Sequence, residues 1–295
     1  SSTTARPGRS GGSASTRAES ELWSKGQIGS QPPFPESALA LDDRERSCDC
    51  STFTPMEVQM HRGYPTPVGS FWHVYTDFPE LYDRFALSTL EAAKKVHELV
   101  DVTGARVLDI ASGTGKNALE HARLARSVIG IEPFETMRDF AIARARARGV
   151  TNVEFRDGIA EDLSMFSEDS FDVAISMYGA PFPWDTDDRF VRGCERVVRS
   201  GGDIVVVSTP PNWRPAYARS RSVPFGNPEA QQAADRRLEQ LGFSIHDHVV
   251  DLDYGTEQEA LETFGFIYGP AAIDHLLDNK TSHEEWALRV YVRQL

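Results

Sequence analysis

From about residue 100 the chain alternates short apolar runs with stretches whose apolar positions recur every three or four residues. ARVLDIA (105–111), SVIGIE (127–132), VEFRDG (153–158), FDVAISMY (171–178) and DIVVVS (203–208) are short and mostly rich in β-branched residues, as expected of strands buried on both faces. KNALEHARLA, ETMRDFAIARARAR and DRFVRGCERVVRS read as helices between them, the last two followed by Gly149 and by Gly201–Gly202. Strands separated by helices imply right-handed crossovers and a mostly parallel sheet. Downstream, EAQQAADRRLEQLG predicts a further helix and FSIHDHVVDLDYG (243–255) a strand, and EEWALRVYVRQL suits a final antiparallel edge strand. Upstream, Leu90, Ala93, Val96 and Val100 share the spacing of a helix face. The expectation is an α/β fold. A seven-stranded, mostly parallel, doubly wound sheet spans 101–295, with N-terminal cap helices over 51–100 and a helical insertion at about 256–281, before the last strand.

Residues 1–50 break this pattern. The first eighteen contain eleven Ser, Thr or Gly, three Arg and no acid, which is too little apolar surface to offset chain entropy, so a disordered tail is expected. The Arg- and Ser-rich start also resembles an organelle transit segment; otherwise a cytoplasmic location is expected. No apolar run approaches the roughly 18 residues of a spanning helix, so an integral membrane protein is not expected. The net charge is -13, and residues 51–295 carry 25 basic against 37 acidic side chains, a balance that disfavours nucleic acid as a partner. Three cysteines, Cys48, Cys50 and Cys194, are too few for a disulfide framework. Cys194 falls on the apolar helix face beside Val191 and Val198 and is expected in the core. Oligomeric state is not legible.

In an open α/β sheet, ligands sit beyond the carboxyl ends of the strands. Four loops occupy that position. Asp109 to Gly115 follows the first strand, and its glycines allow a tight turn into a helix whose N-terminal amides face an electron-rich group. Glu132 ends the second strand, where an acid can accept bonds from ribose hydroxyls. Residues 156–163 follow the third strand, and Ser176 to Ala180 the fourth.

In that order and spacing the four loops resemble class I S-adenosylmethionine-dependent methyltransferases over roughly residues 80–210. VLDIASGTG is similar to the family's first motif, with Ala111 replacing its first glycine. The resemblance implies S-adenosylmethionine as cofactor. It assigns Asp109, Ala111, Ser112, Gly113, Gly115 and Asn117 to the methionine and ribose end, and Glu132, Pro133 and Met137 to the ribose and one adenine face. Gly158, Ile159 and Ala160 would lie at the adenine edge, and Met177 and Tyr178 near the transferred methyl. Ile159 stands where the family often carries an Asp. GTGKNA also fits a looser dinucleotide pattern, but an acid at Asp109 repels a pyrophosphate and suits an ammonium. No phosphate-binding G-x-x-x-x-G-K-S/T is present.

The expected partner is a small molecule, apolar or aromatic, of the kind met in secondary metabolism. Its pocket is expected to draw on Tyr75 and Tyr82 of the cap, Trp184 after the fourth strand, and Phe264 and Tyr268 of the insertion. His73 and Asp185 are candidate general bases, although no catalytic base is assignable and no metal site is expected. The implied reaction is methyl transfer to an O, N or C atom. The alternatives are a cyclisation or rearrangement on the same fold, or a cofactor-binding protein without turnover.

Overall fold

The computed structural model describes residues 57–68, 78–182, 185, 187–211, 213 and 228–295. The first described segment is an antiparallel hairpin rather than a helix. β1 (Glu57–His61) pairs with β2 (Tyr64–Val68) through the two-residue turn Arg62–Gly63, both residues at positive φ (49° and 91°). Pro65 and Pro67 argue against a strand from sequence, but both strands of this isolated hairpin are edges, where proline is tolerated. The expected cap helices follow as α1 (Pro79–Phe85) and α2 (Leu87–Leu99), α1 starting on a proline at its first turn.

The α/β order then holds: β3 (Arg106–Ile110), α3 (Lys116–His121), β4 (Ser127–Ile131), α4 (Glu135–Ala147), β5 (Val153–Arg156), β6 (Phe171–Met177), α5 (Arg189–Val197) and β7 (Val198–Ser208). After them come α6 (Pro228–Gln240) and β8 (Ser244–Asp253). The insertion is helical: α7 (Glu257–Ala260), a π-helical turn (Leu261–Gly265), α8 (Phe266–Tyr268) and α9 (Pro270–Asn279). A Thr256–Glu259 capping box starts it, and β9 (His283–Gln294) ends the chain.

The seven strands β3 to β9 form one sheet in the order β5-β4-β3-β6-β7-β9-β8, with β9 antiparallel to both neighbours and the pairs from β5 to β7 parallel. One expectation is corrected here. β9 is antiparallel but not an edge: it lies between β7 and β8, and β8 closes the sheet. The burial explains it, because Ala287, Leu288, Val290 and Tyr291 of β9 are buried on both faces, whereas β8 buries only Leu252 fully. Successive strand residues feed two cores. Val107, Val173, Ile175, Val205 and Val207 face α2, α3 and the insertion, while Leu108, Ile110, Ala174, Ile204 and Val206 face α5, where Cys194 is fully buried. No helix among the described residues is long and apolar enough to cross a membrane.

Strand order reverses between β3 and β6. Chain direction runs from β3 outward to β5, then returns to β6 on the other side of β3. The crevice beyond the carboxyl ends of these two strands is the position at which such sheets bind ligands.

Candidate active site

The loop after β3 is held in an unusual shape by its neighbours. Ala111 adopts the left-handed region (φ 59°), a conformation that favours glycine. The Ser112 amide donates to Ile131 O at 3.0 Å and the Gly115 amide to Ser112 O at 2.9 Å. Gly115 (φ 72°) has no room for a side chain: a Cβ would stand 2.6 Å from the Phe155 ring and 2.8 Å from Ala141 Cβ. The loop after β6 closes on the same place, since a Cβ on Gly179 would meet Ala111 Cβ at 2.7 Å. The two strand-end loops therefore touch across the switch point.

Polar side chains without partners gather here. Both carboxylate oxygens of Asp109, Ser112 Oγ, Asn117 Oδ1 and Ser176 Oγ are buried and lack a hydrogen bond of ordinary geometry. Buried polar groups are normally satisfied, and an unsatisfied one costs about 1–3 kcal/mol. Burial, with the Glu132 charge adding, pushes the Asp109 carboxyl up to about 8; the Ala118 amide offsets this only in part. Glu132 is also buried, at 4% exposure, and burial lifts its carboxyl to about 7 against the pull of two amides and Arg138. Its Oε2 accepts the Gly113 amide at 2.9 Å and its Oε1 the Phe134 amide at 3.0 Å, leaving each oxygen further accepting capacity. Glu132 thus ties the β4 end to the glycine loop.

The β5 loop joins through Arg138, which donates to Glu132 O at 2.7 Å and lies 3.4 Å from Asp157. Gly158 and Ile159 are half-buried in that loop, while Ala160 is buried, as is Met137 on α4. Pro133, half-buried, follows Glu132 directly. On the β6 side, Met177 is buried and Tyr178 sits at φ 55°, its hydroxyl accepting the Trp286 indole N–H at 3.1 Å. The Tyr178 amide donates to Val207 O at 2.8 Å. The strand-end residues expected at the cofactor site are therefore brought to one edge of the sheet.

The cap reaches this edge through α1. Tyr82 Cε1 lies 3.9 Å from the point a Cβ on Gly113 would occupy, so its ring stands over the glycine loop. The next residue, Asp83, fastens α1 there. Its carboxylate accepts the Thr114 hydroxyl at 2.8 Å and Arg144 Nη2 at 2.7 Å, and the Lys116 ammonium donates to its main-chain carbonyl. Asp83, Thr114, Lys116, Arg144 and Arg138 were missed from sequence, because no local spacing links α1 to α4; GTGK showed Lys116 only as a helix start.

Three other expected residues have different surroundings. Phe264 and Tyr268 are 1% and 3% exposed. Their rings pack 4.6 Å apart and reach Phe85 at 6.3 and 5.6 Å, which docks the insertion on the cap. Asp185 accepts the amides of Arg189 and Phe190, each at 2.9 Å, and so satisfies the free donors at the start of α5. His73, Tyr75 and Trp184 lie outside the described residues, as do Cys48 and Cys50. No group of three or more His, Cys, Asp or Glu among the described residues is arranged to hold a metal ion.

Residues 107–202 match the family model of a methyltransferase domain. Among curated proteins, an uncharacterized methyltransferase of Bacillus subtilis, YcgJ, is 36% identical over 102 residues, covering 35% of this chain and 40% of that one. A demethylmenaquinone methyltransferase of Lactococcus lactis is 30% identical over 148 residues, 48% of this chain and 57% of the relative. A ubiquinone biosynthesis O-methyltransferase of Rhizobium etli is 36% identical over 105 residues, 36% and 41% of the two chains. The chain therefore spans less than two thirds of the length of these relatives.

Proposed function

We propose, from the match of residues 107–202 to the methyltransferase-domain family, that the chain binds S-adenosylmethionine in the crevice beyond β3, β4 and β6 and transfers its methyl group to a small apolar or aromatic molecule. The observation that carries this reading is the set of buried polar atoms around Asp109 that lack a hydrogen bond of ordinary geometry. A buried carboxylate calls for a cation, and the methionine ammonium is one; Ser112, Asn117 and Ser176 offer further partners to a polar ligand. Glu132 keeps a lone pair on each oxygen for the two ribose hydroxyls. Met137 and Ile159 supply apolar surface for the adenine, which a backbone group of the β5 loop, or Asp157 or Glu161, pairs with in place of the missing acid at Ile159.

The cofactor brings an activated methyl on a sulfonium. This chain's contribution is placement. The loop after β3 fixes the methionine end, while Tyr82 and Tyr178 present aromatic rings to the cationic centre and exclude water from it. Tyr178 is steadied by the Trp286 indole, whose ring packs 4.8 Å from Trp213. Tyr178 and Trp213 are half-buried, and they offer an acceptor an aromatic wall. With Asp185 engaged at the start of α5, the role of the described residues is positioning.

Calorimetric titration with S-adenosylhomocysteine tests the reading. Micromolar, one-to-one binding is expected, followed by stoichiometric formation of that product from S-adenosylmethionine once an acceptor is supplied. A folded protein that binds neither compound would overturn the proposal.

A further inference from the structure

A second cavity, of about 330 Å³, lies between α2, α3 and α4 and has none of the strand-end loop residues in its wall. Its lining is strongly basic: Lys116 and Arg123 from the α3 side, and Arg144 and Arg148 from the α4 side, with Glu120 the acid among them. Asp83, which pairs with Lys116 and Arg144, and Glu120, which pairs with Arg123 at 2.8 Å, leave a local excess of two positive charges. That excess sits in a chain whose net charge is -13. Arg144 lies in the last turn of α4 and Arg148 caps its end, four residues on, and both reach the same cleft.

The Lys116 and Arg144 side chains are only 12% and 15% exposed, so water screens them poorly. Burial, with the Arg144 and Arg148 charges adding and Asp83 opposing, lowers the Lys116 ammonium to about 8. The cleft thus concentrates desolvated positive charge beyond what its own acids neutralise. Guanidinium groups pair in bidentate fashion with phosphate oxygens, and a volume of this order falls at the small end of ligand pockets.

We propose that this cleft is a binding site for a small phosphate-class oxyanion, held by Arg123, Arg144, Arg148 and Lys116, and separate from the cofactor crevice. Arg148 is exposed and the Arg123 side chain is 72% exposed, so both reach a ligand entering from solvent and can be changed without disturbing the core. Arg144 and Lys116 form the deeper end, already fixed by Asp83. The ligand is either a free inorganic anion or the phosphate of a small ester, and the two share the same recognition chemistry.

The test is calorimetric titration of the full chain with inorganic pyrophosphate and, separately, with adenosine monophosphate. Saturable one-to-one binding of pyrophosphate is expected if the site takes a free anion, and tighter binding of the monophosphate if it takes an ester. The double variant Arg123→Ala, Arg148→Ala should weaken whichever binds by about tenfold or more, while its unfolding temperature and its affinity for S-adenosylhomocysteine stay unchanged. Absence of binding by both compounds at millimolar concentration would overturn the proposal. Equal binding by the double variant would overturn it too, as would mutual displacement by S-adenosylhomocysteine, which would locate the anion in the crevice.

Discussion

The Thr114 hydroxyl donates to the Asp83 carboxylate at 2.8 Å, joining the glycine loop to helix α1, which carries Tyr82 over that loop. Asp83 is 8% exposed and is the shared anion for Arg144 and Lys116. Removing one member of a buried charge cluster costs about 3–5 kcal/mol, because the remaining charges lose their counterion. Asp83→Ala is expected to lower unfolding stability on that scale. It should also weaken S-adenosylhomocysteine binding by roughly tenfold as Tyr82 loses its anchor. Denaturant unfolding and calorimetry of the same preparation check both; full stability would show that α1 does not depend on this residue.

Glu132 serves two structural amides as well as the ribose it is proposed to hold. Glu132→Ala should weaken S-adenosylhomocysteine binding by at least about tenfold, through lost hydrogen bonds to a charged acceptor. It should also leave the Gly113 and Phe134 amides without their partner. Glu132→Gln retains one carbonyl acceptor, so an intermediate affinity is expected. Unchanged binding by a folded Glu132→Ala protein would remove Glu132 from the cofactor site.

Asp109 gives the binding reaction a proton signature. Its carboxyl is held at about 8, chiefly by burial, so at pH 7 it is mostly protonated. An ammonium arriving beside it favours the carboxylate and lowers that value. Binding of S-adenosylhomocysteine at pH 7 should therefore release up to about one proton, and affinity should rise as pH is raised from 6 toward 8. Calorimetry in two buffers of different ionisation enthalpy reads the number directly. Proton uptake, or none, would contradict a cationic group at Asp109.

How far the sequence reveals this architecture depends on whether the signal is local. Asp109 lies next to last in one apolar strand run and Glu132 directly follows another, so their place at the carboxyl ends of the strands follows from the runs themselves. The Asp83–Arg144 pair spans 61 residues, and nothing in either helix's periodicity connects them. Reading β9 as an edge failed for a related reason: alternation in EEWALRVYVRQL suggests one wet face, yet Ala287, Leu288, Val290 and Tyr291 are buried on both. The β1–β2 hairpin was hidden by Pro65 and Pro67, which weaken a strand reading without forbidding an isolated hairpin. Phe264 and Tyr268 show that aromatic richness alone does not separate a pocket wall from a packing cluster.

Asp185 separates a structural from a chemical role. Its carboxylate accepts two amides at the start of α5, and its side chain has no exposure. Asp185→Ala should cost about 1–2 kcal/mol of stability, the usual loss for a helix-start acceptor. Asp185→Asn, which keeps one acceptor oxygen, should recover part of it. A proton-accepting role predicts instead that both variants abolish turnover with stability unchanged, so unfolding curves together with product formation decide the question.

His121 is fully buried, its Nδ1 is 2.9 Å from His97 Nε2, and its own Nε2 has no partner. Burial, with His97 adding, lowers the His121 imidazole to about 3, against an unfolded value near 6.5. Between those values the unfolded chain carries one more proton at this site than the folded one. Stability therefore falls as pH drops through that window, by about 1.4 kcal/mol per pH unit for this group. Asp109 and Glu132 act in the opposite sense, because burial makes their folded forms hold protons that the unfolded chain releases. The comparison that isolates the histidine is wild type against His121→Leu, which removes the titrating ring. Relative to wild type, the variant should gain about 2 kcal/mol between pH 6.5 and 5 in denaturant unfolding. A stability difference independent of pH would mean that His121 is protonated within the fold, with its charge met by a group other than His97.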